Sequence, residues 1–293
     1  MPRPDGPHAE RAAWRFEAIG TAWTVDTDEP LGDADRAAVV DVVVDFDRTW
    51  SRFRDDSLVA AMAQAPGRWE LPPEAGALLA LYDRLGGVTA GAVTPLVGRT
   101  LADLGYDATY SLRPAAHVSA VPPSSSLDWQ EPWLTTTEPV LLDVGAAGKG
   151  LLVDLVAARL EDCSGLTVDA SGDLLHRGPE VLRVALEHPL DVTVAVGVAE
   201  LAPGTALCAS AVNRRAWGEG LHHVLDGRTG RPTHDVLATW VVAPSCMLAD
   251  GAATAAFFVP PHELDPALGV ASARLRSDGR LETSATFPGE MFT

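Results

Sequence analysis

The segment LDVGAAGKGLLVD, at residues 142–154, joins an apolar strand end to a turn of small residues and then to the start of a helix. We predict that this helix begins near Gly148 and ends at about Asp162. Small residues at such a junction allow a ligand to approach the backbone, and free amides at a helix start favour a phosphate group. Lys149, the only lysine of the chain, would add a positive charge there. A tight junction between helix and sheet with a surface lysine explains the same residues, so both interpretations stay open at this point.

On the carboxyl side of this segment the pattern is rich in strands. The predicted strands are residues 165–170, 181–187, 191–198, 204–210, 221–226 and 237–243, and a last helix is predicted at about 245–258. On the amino side, the predicted elements are a strand over 14–26 interrupted at Gly20-Thr21, and helices over 33–53 and 73–85. Residues 111–139 are rich in Pro, Ser and Thr and predict a long loop. Because helices and strands follow each other without regular βαβ order, the pattern favours the α+β class.

The charge and the ends of the chain restrict its partners. The 293 residues include 22 basic and 40 acidic side chains, so the formal net charge is −18. This excess of acid argues against nucleic acid or an anionic membrane surface as a partner. The amino terminus has no apolar core typical of a signal peptide, and no run of about 18 apolar residues occurs. We therefore expect a cytoplasmic protein without stable membrane insertion.

The segment LADGAATAA, at residues 248–256, carries a carboxylate and a hydroxyl in otherwise apolar or small surroundings. Asp250 and Thr254 are four residues apart and would share one face of a helix. Oxygen ligands of this kind suit a hard cation such as Mg²⁺, which takes one or two carboxylates and completes its shell with phosphate and water. The alternative is structural, with Asp250 as a helix N-cap and Thr254 bonded back to the helix.

Two further segments carry polar side chains at turns. In HHVLDGRTGRP, residues 222–232, His223 stands near Asp226 and Arg228 and could act as a general base near neutral pH. An ordinary solvated hairpin explains the same residues. In VDASGD, residues 168–173, a strand runs into a small-residue turn that ends at Asp173, which is also the pattern of a simple Asp-containing turn.

Taken in order, these segments resemble the ApbE family of FAD:protein FMN transferases from about residue 19 to 259. The segments that carry the resemblance are Gly20-Thr21-Ala22-Trp23, Ser51-Arg52-Phe53 with Ser57, Thr89 to Pro95, and residues 142–154, 169–173, 209–211, 222–232 and 248–254. The resemblance implies a single T-fold-like α+β domain over residues 14–290 with mainly antiparallel sheet, interrupted by the excursion at 111–139, and a disordered tail over 1–13.

The resemblance also implies a reaction and a set of site residues. Members bind FAD and Mg²⁺ and transfer FMN to a Thr or Ser hydroxyl of a target flavoprotein, with release of AMP. By position, His223 and Asp250 would be catalytic, and Asp250, Thr254 and the carbonyl of Gly148 would hold the metal. The positions expected to contact FAD are Gly148, Lys149, Thr94, Ser171, Gly172 and Asp173.

The chain also departs from the family pattern. The departures are Thr94 for Asp, Leu58 for Glu, Ala63 for Asn, Ser171 for Gly, Ala209 and Ala211 for Thr and Gly, and Gly227 for Pro. Three alternatives therefore stand beside transfer: an FAD pyrophosphatase that gives FMN and AMP, a non-catalytic FAD-binding module, and an interaction domain without catalysis.

Overall fold

The computed structural model describes residues 11–292, which contain helices and strands in mixed order. Within that range the helices are α1 (Asp33–Trp50), α2 (Leu58–Met62), α3 (Ala75–Val88), α4 (Gly98–Asp103), α5 (Gly148–Arg159), α6 (Cys246–Ala255) and α7 (Pro261–Leu268). The strands in the same range are β1 (Ala12–Ala18), β2 (Thr21–Thr27), β3 (Gly67–Glu70), β4 (Leu127–Gln130), β5 (Trp133–Thr136), β6 (Thr167–Asp169), β7 (Asp173–His176), β8 (Leu182–His188), β9 (Asp191–Leu201), β10 (Thr205–Ala211), β11 (Ala216–Trp217), β12 (Leu221–His222), β13 (Leu225–Asp226), β14 (Arg231–Pro232), β15 (Val236–Ala243), β16 (Ala271–Arg276), β17 (Leu281–Thr283) and β18 (Gly289–Met291).

A central sheet of eight strands organises the fold, in the order β1-β2-β6-β7-β10-β15-β16-β17. Every neighbouring pair in it is antiparallel. Successive residues of a strand face opposite sides, so β15 sends Trp240 and Val242 to one face and Val241 and Ala243 to the other. The α+β prediction with mainly antiparallel sheet is confirmed.

Both faces of the central strands are covered. One face packs against the helices, and the other packs against a second sheet in the order β18-β9-β8. A strand buried on both faces is nearly continuous in apolar residues, which is the pattern of β15, VLATWVVA. The one polar side chain inside it, Thr239, is fully buried and donates a hydrogen bond to the Ala253 carbonyl of α6, 2.7 Å away.

Helices α5 and α6 approach each other more closely than a side chain at Gly150 would allow. A Cβ placed on Gly150 would overlap the Cys246 carbonyl oxygen and lie 2.8 Å from the Cβ of Asp250. Two hydrogen bonds also join the helices. The Asp154 carboxylate of α5 accepts from the N–H groups of Cys246 and Met247, each at 2.9 Å. These bonds satisfy free amides at the start of α6.

Four sequence predictions need correction. The predicted strand over 14–26 is a hairpin, because Ile19 and Gly20 adopt left-handed φ angles of 45° and 73° and turn the chain between β1 and β2. The predicted strand over 221–226 is divided into β12 and β13 by a bend. The predicted loop over 111–139 contains β4 and β5, and β5 also pairs with β3, more than 60 residues earlier. This distant partner is invisible to a local pattern.

The expected tail over residues 1–13 also ends earlier than predicted, since β1 already begins at Ala12. Its first ten residues lie outside the described part of the chain. Among residues 11–292, no helix combines the length and the hydropathy needed to cross a lipid bilayer.

The close approach at Gly150 gives a first prediction. Gly150→Ala should lower the free energy of unfolding by about 1–3 kcal/mol, because overpacking against a backbone carbonyl forces α5 and α6 apart. The matched control is Gly87→Ala in α3, where an added Cβ meets nothing within 4 Å. That variant should be neutral or more stable by up to about 1 kcal/mol, because alanine favours a helix over glycine. Urea denaturation of both variants measures the difference, and equal stabilities would refute the packing argument.

Candidate functional site

Three segments that are distant in sequence meet at the amino end of α5. The Gly150 N–H donates to Asp250 Oδ2 at 3.0 Å. The Lys149 ammonium lies 2.7 Å from Asp173 Oδ2 and donates to the Ala170 carbonyl at 2.9 Å. The structure therefore brings the predicted residues of α5, of α6 and of the β6–β7 turn into one cluster.

Asp250 is held inside this cluster and is not a helix cap. The N-cap of α6 is Ser245, whose hydroxyl accepts from the Leu248 N–H at 3.3 Å. Burial raises the pKa of Asp250 well above its ordinary value, and the nearby Asp173 carboxylate raises it further. Lys149 and the Gly150 N–H act in the opposite direction. Lys149 contacts Asp173, so Asp250 lies near a second carboxylate without a cation in contact within the described chain, which is an arrangement that an additional cation would stabilise.

Thr254 follows Asp250 by one turn on α6 and is half-buried. No cluster of three or more His, Cys, Asp or Glu side chains arranged for a metal occurs in the part of the chain that the structure describes. A site made of one carboxylate, one hydroxyl and a backbone carbonyl belongs to a different class, and Mg²⁺ accepts such oxygen ligands.

The backbone groups at the start of α5 differ in their hydrogen bonding. Gly148 is the first residue of α5, so its carbonyl accepts from the N–H four residues later in the helix. The Gly150 N–H is one of the first four of the helix and has no acceptor within it, so the Asp250 carboxylate satisfies this amide.

A buried ion pair that sequence reasoning missed lies beside this cluster. Arg52 Nε is 2.5 Å from Asp143 Oδ2, and Arg52 Nη1 donates to the Tyr106 carbonyl at 2.6 Å. The Arg52 guanidinium also lies over the rings of Phe53 and Tyr106, 4.2 and 4.7 Å from their centroids. Burial is the largest single influence on Asp143 and opposes its ionisation, but Arg52, the Gly145 N–H and Arg215 together hold the pKa of Asp143 below its usual value. Both residues stood inside quoted motifs, yet no sequence pattern indicated that they pair.

The two adjacent histidines have different surroundings. His222 is buried, with Nε2 2.7 Å from the Thr233 carbonyl and Nδ1 accepting from the Val224 N–H at 3.3 Å, so both ring nitrogens hold the backbone. His223 is half-buried, and its Nδ1 is buried without a hydrogen-bond partner in the described chain. Burial, together with the positive charge of Arg215, lowers the pKa of His223 to about 3. Its imidazole is therefore neutral at pH 7.

Arg215 is a second residue that sequence reasoning missed. It ends the short 3₁₀ turn Val212–Arg215, and its carbonyl accepts from the His223 N–H at 3.3 Å. Its positive charge also lowers the pKa values of Asp143 and Asp250, although burial is the largest influence on both. The only sequence signal for it was its position a few residues after Ser210.

The turn between β6 and β7 accommodates one departure from the family pattern. Ser171 has a φ of 54°, in the left-handed region where glycine is favoured, and the family has glycine there. Its hydroxyl donates to the Ala22 carbonyl of β2 at 2.8 Å, which fixes the turn to the sheet. The Gly172 N–H donates to Asp169 Oδ1 at 3.2 Å, and Asp173 follows as the first residue of β7.

Two other departures are in contact with each other. A Cβ on Gly227 would lie 2.6 Å from Thr94 Cγ2, and the Gly227 N–H donates to the Ala92 carbonyl at 2.8 Å. A proline at 227 could not make this hydrogen bond. Thr94 is tied to the site through its neighbour, because the Pro95 carbonyl accepts from the Asp143 N–H at 2.8 Å. Thr94 and Gly227 therefore form one altered contact next to Asp143.

The fold defines an α+β protein in which α5, α6 and the β6–β7 turn meet in one polar cluster. The sequence profile of the ApbE family matches residues 19–272. The chain belongs to the ApbE family.

Two curated relatives carry the name FAD:protein FMN transferase. The protein from Rhodobacter capsulatus is 32% identical over 225 residues, which cover 70% of this chain but only 42% of the relative. The protein from Klebsiella pneumoniae (strain 342) is 27% identical over 286 residues, which cover 89% of this chain and 82% of the relative. The chain thus spans less than half of the first relative and most of the second.

Solved structures share the fold. The ApbE protein of Thermotoga maritima superposes with a TM-score of 0.80 at 21% identity, covering 94% of this chain and 98% of that structure. The apo form of the flavinyl transferase ApbE of Pseudomonas stutzeri gives 0.78 at 21% identity, covering 96% and 98%.

The surroundings of His223 give a second prediction. Its pKa is about 3 in the folded protein but about 6.5 in the unfolded chain. Between these values only the unfolded state binds the proton, so this contribution to stability is complete above pH 6.5 and is lost as the pH falls towards 3. His223→Gln should remove up to about 1.4 kcal/mol per pH unit from the slope of stability against pH in that window.

Urea denaturation at pH 7, 6 and 5 measures this slope. The matched control is His262→Gln, because the His262 side chain is 77% exposed. Equal slopes for the two variants would contradict the burial of a neutral imidazole at position 223.

Proposed function

We propose that this protein transfers FMN from FAD to a Thr or Ser hydroxyl of a target flavoprotein, with Mg²⁺ as cofactor and AMP as the second product. The observation that carries the proposal is the cluster of Asp250, Gly150, Lys149 and Asp173 in a chain of the ApbE family. The names of the two curated relatives support the same reaction.

The residues of α6 fit a magnesium ion. Asp250 and Thr254 supply a carboxylate and a hydroxyl on one face, and Asp250 lies near Asp173 without a cation in contact in the described chain. The carbonyl of Gly148, the first residue of α5, would be the third protein ligand. When bound, the ion would neutralise charge on the diphosphate that develops during the reaction.

The protein side chains would orient and activate the reactants. Lys149 holds the Asp173 carboxylate and the β6–β7 turn in place, so the turn with Ser171 and Gly172 forms a fixed wall of the proposed FAD site. Thr94 would bound the same site from the side of Asp143. Orientation of this kind is the main protein contribution to phosphoryl-type transfer.

His223 is suited to accept the proton of the attacking hydroxyl. Its ring is neutral at pH 7, so it can take up a proton. A bound diphosphate would offset the charge of Arg215 and raise the pKa of His223 towards its ordinary value, which strengthens the base. The hydroxyl oxygen then forms a bond to the phosphorus of the FMN half, the bond from that phosphorus to the AMP oxygen breaks, and the hydroxyl proton passes to His223.

Two alternatives differ in measurable products. Hydrolysis by water would give free FMN and AMP, and a non-catalytic module would bind FAD without releasing AMP. The departures at Thr94, Ala209 and Ala211 are the features that favour the second alternative. A structural observation reduces their weight, because Ala209 still anchors the turn through its N–H, which donates to the Gly172 carbonyl at 2.9 Å.

The third prediction tests the reaction and the metal together. The protein is incubated with FAD, MgCl₂ and an acceptor protein of the Klebsiella pneumoniae relative, and that relative serves as the positive control. Covalent flavin is read as fluorescence of the denatured acceptor, and AMP is read by chromatography. Asp250→Ala should reduce both products at least about 100-fold, because loss of one charged transition-state ligand has effects of this order. Asp83→Ala, an exposed carboxylate on α3, should keep the activity of the wild type.

Each product pattern has one meaning. Covalent flavin that depends on Asp250 supports transfer, and AMP with free FMN alone would replace transfer by hydrolysis. FAD binding without AMP at any Mg²⁺ concentration would leave only the binding module.

A fourth prediction concerns FAD binding itself. FAD with MgCl₂ should raise the midpoint of thermal unfolding, because a ligand that binds only the folded state stabilises it. Asp250→Ala should lose the part of this shift that depends on MgCl₂, while Asp83→Ala should retain it. An unchanged midpoint in the wild-type protein would favour an interaction domain without FAD.

A further inference from the structure

The charged side chains of the site can be paired one by one. Asp143 is paired with Arg52 at 2.5 Å, and Asp173 with Lys149 at 2.7 Å. Asp250 accepts only a backbone N–H, so it is the one carboxylate of the three without a cationic partner in ion-pair contact. Arg215 is a further cation near the cluster.

Arg215 has no ion-pair partner in the described chain. No carboxylate lies within 4 Å of its guanidinium, whereas its neighbour Arg214 forms an ion pair with Glu187 at 2.9 Å. The side chain is half-buried, and none of its nitrogen atoms is sealed from solvent. The guanidinium is therefore partly shielded from solvent but accessible to a ligand.

The position of Arg215 is fixed by an aromatic cluster. Its guanidinium carbon lies 5.9 Å from the ring centroid of Tyr106, near the outer limit of a cation–π contact. Tyr106 is itself buried, stacks on Trp217 at 5.5 Å and also carries the guanidinium of Arg52. The Arg215 backbone is bonded to His223. A guanidinium held in this way loses little side-chain entropy when it binds an anion.

We propose that Arg215 binds the diphosphate of FAD directly and that Lys149, the cation expected from the sequence to do so, instead holds Asp173. This inference rests on the proposed function and names the residue that recognises the anionic part of the substrate. A planar guanidinium can bind two phosphate oxygens at once, which an ammonium group cannot do. The site then offers an unpaired carboxylate for the cation and an unpaired guanidinium for the anion of one magnesium–diphosphate unit.

The fifth prediction compares Arg215→Gln with Arg214→Gln, which removes the adjacent arginine that is already paired with Glu187. Binding of FAD and of riboflavin is followed by quenching of flavin fluorescence in the presence of MgCl₂. Arg215→Gln should weaken FAD binding by about 10- to 100-fold, the effect of losing a hydrogen bond to a charged group, and should leave riboflavin binding unchanged because riboflavin has no phosphate. Arg215→Lys should fall between the two, and Arg214→Gln should match the wild type.

A second measurement, the salt dependence of FAD affinity, tests the same contact without riboflavin. FAD affinity of the wild type should fall with rising NaCl concentration, and the fall should be smaller in Arg215→Gln because a screened contact is missing. Equal FAD affinities of Arg215→Gln and Arg214→Gln, or an equal loss for FAD and riboflavin, would overturn the inference. FAD binding that depends on Arg215 in a protein that transfers no flavin would refute the proposed function but uphold the phosphate contact. A wild-type chain that binds no FAD would overturn both.

Discussion

The contact between α5 and α6 is the constraint on which the rest of the site depends. It requires glycine at position 150, because a Cβ there would overlap the Cys246 carbonyl. The Gly150 N–H, which has no acceptor within α5, donates to Asp250, while Asp154 of α5 accepts two N–H groups from the start of α6. The same bonds that pack the helices therefore orient the carboxylate proposed to hold the metal. Packing and chemistry cannot be separated at this junction.

The pairing of charges is compatible with the proposed anion-binding site in a chain with a net charge of −18. Arg52 and Lys149 are each used by a carboxylate, and these pairs fix Asp143 and Asp173 in place. The carboxylate of Asp250 on α6 and the guanidinium of Arg215 beside Tyr106 have no ion-pair partner in the described chain. A magnesium–diphosphate unit is complementary to both groups, because the cation suits the carboxylate and the anion suits the guanidinium. The overall charge of a protein thus predicts its bulk behaviour but not the charge of its site.

The departures from the family pattern are local and are partly compensated. Ser171 has a left-handed φ, which would favour the glycine of the family pattern, and its hydroxyl donates a hydrogen bond to β2. Gly227 and Thr94 are changed together, and they touch each other. For Leu58 and Ala63, at the two ends of α2, the structure offers no explanation of the change. Two of the departures adjoin the cluster, because Ser171 shares its turn with Asp173 and the Ala209 N–H donates to the Gly172 carbonyl of the same turn.

The sequence by itself determined the α+β class and the helices α1, α3, α5 and α6, because local periodicity indicates them. Short motifs indicated the segments that meet in the cluster. Only the tertiary structure decided what each side chain does. It placed β4 and β5 in the stretch predicted as a loop, since β3 lies far away in sequence. It also assigned Lys149 to Asp173, paired Arg52 with Asp143 and left Arg215 open. The partners of a charged side chain are set by distances between segments 20 to 100 residues apart, and no local pattern contains those distances.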